Sequence, residues 1–260
     1  MGAAAPGGFR GGRVTDLAVH DASRSMWSAS DVDELNRLYE GRAAEALCDV
    51  LTDPLFGPTA LVSSFGADSA VLLHMAAQVR RDVPVLFVET GWLFAETLSY
   101  ANDLAGHLRL SDVRWLRPDA AMLDEKDPKR LRWSYDPDGC CELRKVQPLD
   151  SALAGFSLWI SGRKSHQNRA RATLSLFERD AARLKLNPLY DWRPEDLAAY
   201  AASNRLPPHP LVAQGYPSIG CSPCTSRVQP GEDPRAGRWR GWDKSECGIH
   251  TPSGDSDPAF

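Results

Sequence analysis

The sequence predicts an α/β protein, a single domain on a mainly parallel sheet followed by a flexible C-terminal tail. Two observations carry this expectation. Short apolar runs at Thr59–Ser63, 83–88, Val113–Leu116 and Leu158–Ser161 are separated by stretches with helical spacing, and polar or glycine-containing loops follow the runs. From Pro207 onward the alternation dissolves into Pro, Gly, Cys and charge. Strands that alternate with helices imply right-handed crossovers and a parallel sheet. Ligands of such sheets sit beyond the carboxyl ends of the strands.

Taken in order, a first helix is expected from Ser30, where Ser30 and Asp33 have capping-box spacing. Leu35, Leu38, Tyr39, Ala43, Leu47 and Leu51 continue as one apolar face, which places Cys48 in the core. The strand Thr59–Ser63 turns through Ser64-Phe65-Gly66-Ala67-Asp68 into a helix carrying Ala70, Val71, Leu72 and Leu73. A second strand at 83–88 leads through Thr90-Gly91 into a helix reaching His107, and strands Val113–Leu116 and Leu158–Ser161 follow. Three segments leave strand ends, at 63–69, 89–91 and 161–171, and their convergence on one pocket is expected.

The chain of 260 residues, 43% hydrophobic and with a net charge of −4, is large enough for one buried core and gives no reason to expect nucleic-acid or membrane binding. The opening MGAAAPGGFRGGR has little to bury, so 1–28 is expected to be a disordered extension, 29–228 the α/β domain and 229–260 a mobile tail. Without a signal-peptide stretch or an apolar span, the expected compartment is the reducing cytoplasm, and six cysteines need an explanation there.

The loop Ser63-Ser64-Phe65-Gly66-Ala67-Asp68-Ser69 combines hydroxyls, a glycine and a helix N-terminus, which suits an anion. The same composition also suits a plain turn capped by Asp68 or Ser69. Cys140-Cys141 and Cys221-Ser222-Pro223-Cys224 offer four thiolates for zinc or an iron–sulfur cluster. Adjacent cysteines do not wrap one zinc ion but reach two irons of a larger cluster, which favours the cluster; buried thiols or a redox disulfide are the plainer readings. Cys247 stands in a tail with little to pack, near Lys244 and His250, and reads either as a reactive thiol or as an incidental one. Basic residues gather beside these elements: Arg144 and Lys145, then Arg163, Lys164, Arg169 and Arg171, then Arg235, Arg238 and Arg240. In an acidic chain this favours a compact polyanionic ligand over a solvated face.

With these motifs the sequence resembles the sulfonucleotide reductases, and within them the assimilatory adenylyl-sulfate reductases that carry an iron–sulfur cluster. The shared marks are the serine loop, Glu89-Thr90-Gly91, Cys140-Cys141-Glu142-Leu143-Arg144-Lys145-Val146, Gly162-Arg163 to Arg171, Asn187-Pro188-Leu189, the segment from Gly215 through Cys221 and Cys224 to Thr225, the segment from Gly231 to Trp239, and Glu246-Cys247-Gly248-Ile249-His250. The resemblance implies an adenine nucleotide alpha hydrolase-like (PP-loop type) fold, with Ser63, Ser64, Gly66, Asp68, Ser69, Thr90 and Gly91 binding the nucleotide. It implies a [4Fe-4S] cluster on Cys140, Cys141, Cys221 and Cys224. It also implies that Lys145, Arg171, Arg235, Arg238 and His250 meet the substrate's anionic groups, and that Cys247 is the nucleophile. The implied reaction converts adenosine 5′-phosphosulfate into sulfite and AMP through an S-sulfocysteine that thioredoxin, or glutaredoxin, then resolves. Glu89 stands where the family usually has Asp, and Asn168 where Ser is common. The alternatives are a 3′-phosphoadenylyl-sulfate reductase, whose branch generally lacks the paired cysteines, a tRNA thiolase of related fold, and a non-enzymatic iron–sulfur sensor. A homo-oligomer is compatible with the sequence.

Overall fold

The computed structural model describes residues 27–167 and 171–250. The expected N-terminal disorder, the sequence positions Asn168 and Arg169, and the last ten residues lie outside the described residues.

Helix α1 (Ala29–Leu38) starts two residues before the expected cap: Ser28 is the N-cap, and Ser28 and Asp31 form the reciprocal capping box. The single helix expected through Leu51 is broken by Gly41, at φ 68°, so that α2 (Ala43–Thr52) starts afresh. In α2 the buried residues are Ala46, Leu47, Val50 and Leu51, and Cys48 is exposed, a correction to the expected core thiol.

Strand β1 (Thr59–Ser63) leads into α3 (Ser69–Val79), β2 (Val85–Val88) into α4 (Ala95–Leu108), and β3 (Val113–Leu116) follows. The chain then runs through α5 (Ala120–Lys126) and a helical rod before β4 (Leu158–Ser161). That rod comprises α6 (Pro137–Cys141), one π-helical turn (Glu142–Val146) and α7 (Gln147–Leu153). Strands β5 (Phe177–Asp180) and β6 (Arg183–Leu186) and helix α8 (Pro194–Ser203) complete the regular elements. The sheet order is β3-β2-β1-β4-β6-β5. Every pairing is parallel except β5 with β6. The chain lays β2 and β3 on one side of β1 and then returns to place β4 on the other, so a topological switch lies between β1 and β4.

Alternation along the strands divides the core in two. Leu61, Val85, Phe87, Leu158, Ile160, Leu184 and Leu186 join the larger cluster with residues of α1 to α4 and α8. Ala60, Leu86 and Trp159 form the smaller cluster with Leu149 and Leu153 of α7, and Ile249 of the tail packs against it. On that smaller side Lys185, paired in register with Trp159, is buried with its Nζ 4.3 Å from the centre of the indole ring. Burial, reinforced by Arg163 and opposed by Glu178 and Asp180, pulls its pKa down to about 7 from 10.5.

A lysine depressed in the fold is protonated more readily when unfolded. Its penalty is therefore full below about pH 7 and is relieved as pH rises toward 10.5. Lys185→Met should accordingly be more stable than wild type at pH 7, by a few kcal/mol at most. The gap should narrow by pH 9–10, which urea midpoints at the two pH values will check; an equal gap at both removes the buried charge as its cause.

Candidate active site

A cavity of about 720 Å³ opens at the β1/β4 switch point. The serine loop and the segment after β4 both line it, as do Thr90, Lys145, Arg171 and the tail residues Arg235, Arg238, Glu246, Cys247, Ile249 and His250. Ser63, Ser64, Gly66, Asp68 and Ser69 are thus brought together with the cations and the thiol. Gly91 does not line the cavity: at φ 78° it makes a turn, and its N–H donates to Glu89 at 2.6 Å.

The serine loop is held by burial. Phe65 takes the left-handed conformation at φ 46°, where glycine would be expected, and is fully buried edge-on against Phe87 at 4.9 Å. Its N–H donates to Ser63 Oγ at 3.1 Å. Asp68 occupies the N-cap position of α3 but makes no side-chain cap bond; it accepts instead from Lys164 Nζ at 3.0 Å. The first turn of α3 therefore presents its N-terminus to the cavity, with the dipole favouring an anion there.

Around this loop the positive charge is dense. Burial lowers the pKa of Lys164 against the pull of Asp68, and burial followed by the neighbouring Arg238 lowers that of Arg235. Arg163 is ion-paired with Glu178. Arg238 lies over the Trp239 ring at 4.4 Å and donates to the Ile219 carbonyl at 3.3 Å. A Cβ on Gly220 would collide with the Arg238 guanidinium, so glycine is required for this approach. His250 stacks on Trp159, its ring 5.6 Å away and nearly parallel. Its Nδ1 is buried without a partner, and burial, then Lys185 and the surrounding arginines, hold its pKa well below the ordinary value.

Behind this cavity lies a smaller one lined by Cys140, Cys141, Cys221 and Cys224, with Trp92, Trp133, Trp239, Arg144 and Lys145. Lys145 and Trp239 line both cavities and so form the wall between them. Burial and the adjacent thiol push Cys140 up to about 12, and burial pushes Cys141 up to about 11. Burial opposes the charge on Lys145, yet the sulfurs of Cys221, Cys247 and Cys141 outweigh it and raise its pKa. Among the described residues no three His, Cys, Asp or Glu side chains are grouped closely enough for one metal ion. The indole N–H groups of Trp92 and Trp133 are buried without partners.

What joins the two cysteine pairs is a set of contacts with no signal in the sequence. The π-helical turn directly after Cys141 carries Arg144 and Lys145. Arg144, fully buried, donates to the Thr90 carbonyl at 2.9 Å and to Asp127 at 2.8 Å. Thr90 Oγ1 lies 3.2 Å from Cys221 Sγ. Cys221 is fixed further by a bridge to Leu93 and by the Ser222 N–H donating to the Trp92 carbonyl at 2.7 Å. Arg144 thus serves the architecture and not the cavity. Asp127, Trp92, Trp133, Trp159 and Lys185 were also missed, because each depends on a contact far along the chain.

In this structure the tail is docked through His250. Trp239 is buried, and its N–H donates to the Cys224 carbonyl at 2.9 Å. Arg235 donates to the Ser245 carbonyl at 3.0 Å, and Arg171 pairs with Glu246.

Fold and site together define a doubly wound α/β protein whose switch-point cavity gathers cationic side chains beside a thiol carried on the C-terminal segment. The comparisons give that class its family. Residues 58–227 match the phosphoadenosine phosphosulfate reductase domain. The chain is 48% identical over 221 residues to the adenosine 5′-phosphosulfate reductase of Chelativorans sp. (strain BNC1), covering 84% of this chain and 90% of that one. It is 42% identical over 233 residues to the adenosine 5′-phosphosulfate reductase of Mycolicibacterium smegmatis, covering 86% and 98%. Among solved structures, the phosphoadenylyl-sulfate reductase from Candida auris, a phosphate complex, aligns with a TM-score of 0.66 at 25% identity, covering 78% of this chain and 98% of that one. An FMN adenylyltransferase from Candida glabrata, with a TM-score of 0.51 at 14% identity, shares the fold alone. The chain belongs to the phosphoadenosine phosphosulfate reductase family.

Asp127 is held below the usual carboxylate range: burial works against its charge, but hydrogen bonds from Arg144 and from backbone N–H groups outweigh burial. Asp127→Asn strands a buried guanidinium and should cost about 3–5 kcal/mol in chemical denaturation. A loss below about 1 kcal/mol would remove the pair from the role given to it here.

Proposed function

We propose that the protein is an oxidoreductase that reduces adenosine 5′-phosphosulfate to sulfite and AMP with thioredoxin as the thiol donor, in sulfate assimilation and cysteine biosynthesis. The observation that carries the reading is Cys247 lining the same cavity as the serine loop, Lys145, Arg171, Arg235 and Arg238. The relatives in Chelativorans and Mycolicibacterium, named as adenosine 5′-phosphosulfate reductases, support the substrate. No described helix is long and apolar enough to cross a membrane, and a cytoplasmic setting suits six unpaired cysteines.

The nucleotide phosphate is placed at the serine loop and the N-terminus of α3, with the sulfate directed toward Cys247. The Cys247 thiolate attacks the sulfur; the sulfur–oxygen bond to the phosphate breaks, and its electron pair leaves with AMP. Lys145, Arg235 and Arg238 offset the charge that builds on the departing phosphate oxygens. The product is an S-sulfocysteine at Cys247. A thioredoxin thiolate attacks the Cys247 sulfur and releases sulfite, and its second thiol resolves the mixed disulfide. Release of the tail from the cavity is what lets Cys247 meet an outside protein.

Cys140, Cys141, Cys221 and Cys224 would hold the [4Fe–4S] cluster. All four line one small cavity, and the adjacent Cys140 and Cys141 cannot wrap one zinc ion but could reach two irons, which suits a cluster better. The unpartnered indole N–H groups of Trp92 and Trp133 suit sulfur acceptors, and thiols pushed up by burial need a cationic centre to ionise. When bound, the cluster would hold the two cysteine pairs on one core and, with its four thiolate ligands, would set net negative charge beside Lys145, which keeps that ammonium protonated toward the substrate, with no change of oxidation state.

Cys247→Ser should lower thioredoxin-dependent sulfite release by several orders of magnitude while leaving iron content and nucleotide binding intact. Wild-type protein given substrate without thioredoxin should gain one sulfite mass on the peptide containing Cys247. Normal turnover in the variant, or the adduct on another cysteine, would overturn the mechanism.

Anaerobically purified protein should contain about four irons and four sulfides per chain, and Cys141→Ser should lose them. Stoichiometric zinc without sulfide would replace the cluster with a structural site.

The relatives named as adenosine 5′-phosphosulfate reductases support the smaller nucleotide, so kcat/KM should be higher without a 3′-phosphate than with one. The reverse order would make it a 3′-phosphoadenylyl-sulfate reductase.

A further inference from the structure

The acidic residue beside Cys247 was part of a motif in the sequence but had no role there. In the structure it has a specific partner. Arg171 Nε donates to Glu246 Oε1 at 2.6 Å and Arg171 Nη2 to Glu246 Oε2 at 2.7 Å, a fork-on-fork pair with side chains 10% and 23% exposed. The same guanidinium donates from Nη1 to the Gln167 side chain. A phosphate or sulfate oxygen pair is recognised by the same face of a guanidinium as a carboxylate. Arg235 is engaged in the same way, donating to the Ser245 carbonyl. Two cations that line the cavity are therefore bonded to the two residues immediately before Cys247.

On the far side of Cys247 the anchor is of another kind. Ile249 packs against the Ala60, Leu86 and Trp159 cluster, and His250 stacks on Trp159. Gly248, at φ 85°, separates the two anchors and supplies the conformation that other residues avoid. An entering anion competes directly with the first anchor, which is ionic, whereas the second rests on stacking and apolar packing. Arg163 and Lys164, by contrast, take their carboxylate partners from Glu178 and Asp68, outside the tail.

We propose that Glu246 is a positioning residue for Cys247: its carboxylate and the substrate's anionic end exchange on Arg171, so that one guanidinium couples tail docking to nucleotide binding. This rests on the reading above that Arg171 meets the substrate's anions. Exchange trades one bidentate anion for another, so Arg171 is never left buried without a counter-charge. It also takes Glu246 off Arg171 while the apolar and stacking contacts of 249–250 remain, so that Cys247 shifts about Gly248 without release of the whole tail.

The test has two arms, both read without turnover. In nucleotide-free protein, the rate at which iodoacetamide alkylates Cys247 is followed by peptide mass spectrometry for wild type, Glu246→Gln and Glu246→Asp. Glu246→Gln should react about fivefold faster, the worth of one partly buried ion pair, and Glu246→Asp should stay near wild type. In a Cys247→Ser background, calorimetry should find that adding Glu246→Gln tightens binding of adenosine 5′-phosphosulfate by a similar factor, because the Glu246 carboxylate no longer competes for Arg171. Unchanged alkylation in Glu246→Gln, or nucleotide affinity that stays the same or weakens, would overturn the exchange. Failure of the reductase reading shows elsewhere, as the absence of a sulfite adduct on Cys247 in wild type, and the alkylation arm does not depend on it.

Discussion

The site depends on one buried guanidinium. Arg144 is held between Asp127 and the Thr90 carbonyl, where a charge without a partner would cost several kcal/mol. Through it, the helical rod that carries Cys140 and Cys141 is locked to the loop after β2, and that loop positions Cys221 through Thr90, Trp92 and Leu93. Two cysteine pairs some eighty positions apart thus come to share one cavity. The π-helical turn is part of the same device, because it sends Arg144 into this contact while the next residue, Lys145, faces the larger cavity.

The larger cavity follows from topology combined with a surplus of positive charge. The switch between β1 and β4 opens a crevice where two strand ends diverge. Into it project cations whose pKa values are lowered by burial and by one another, Arg163, Lys164 and Arg235 among them. A site assembled from mutually repelling cations is stabilised by an anion. The tail supplies part of that relief through Glu246, so the segment that brings the thiol also helps to neutralise the pocket that it serves.

Much of the central sheet was legible in the sequence. β1, β3 and β4 coincide with the short apolar runs; β1 and β4 are central strands buried nearly throughout and so must be apolar, while β3 is a partly exposed edge strand. The β5–β6 hairpin was not legible. Its strands carry Glu178, Arg179, Asp180, Arg183 and Lys185, and its turn places Ala181 at φ 53° with no Gly or Asn to announce it. The break at Gly41 was visible as a residue but not as an event, because the apolar spacing on its two sides continued one helical pattern. Cys48 was expected in the core because free cysteines are commonly buried, but it stands on the exposed side of α2, away from Leu47 and Leu51.

By itself the sequence determined the chemical inventory: which loops leave strands with hydroxyls and glycine, which four cysteines come in pairs, and which thiol stands apart beside basic residues. These are properties of residue type and spacing, and they survive without knowledge of the fold. The tertiary structure alone decided how the inventory is shared out. It set Arg144 to architecture and Lys145 to the wall between two cavities, buried Lys185 and His250 against Trp159, and joined Glu246 to Arg171. The physical reason is that each of these roles is fixed by burial and by a partner distant in sequence. A charged side chain reads alike on a solvated face and in a core until its neighbours are known.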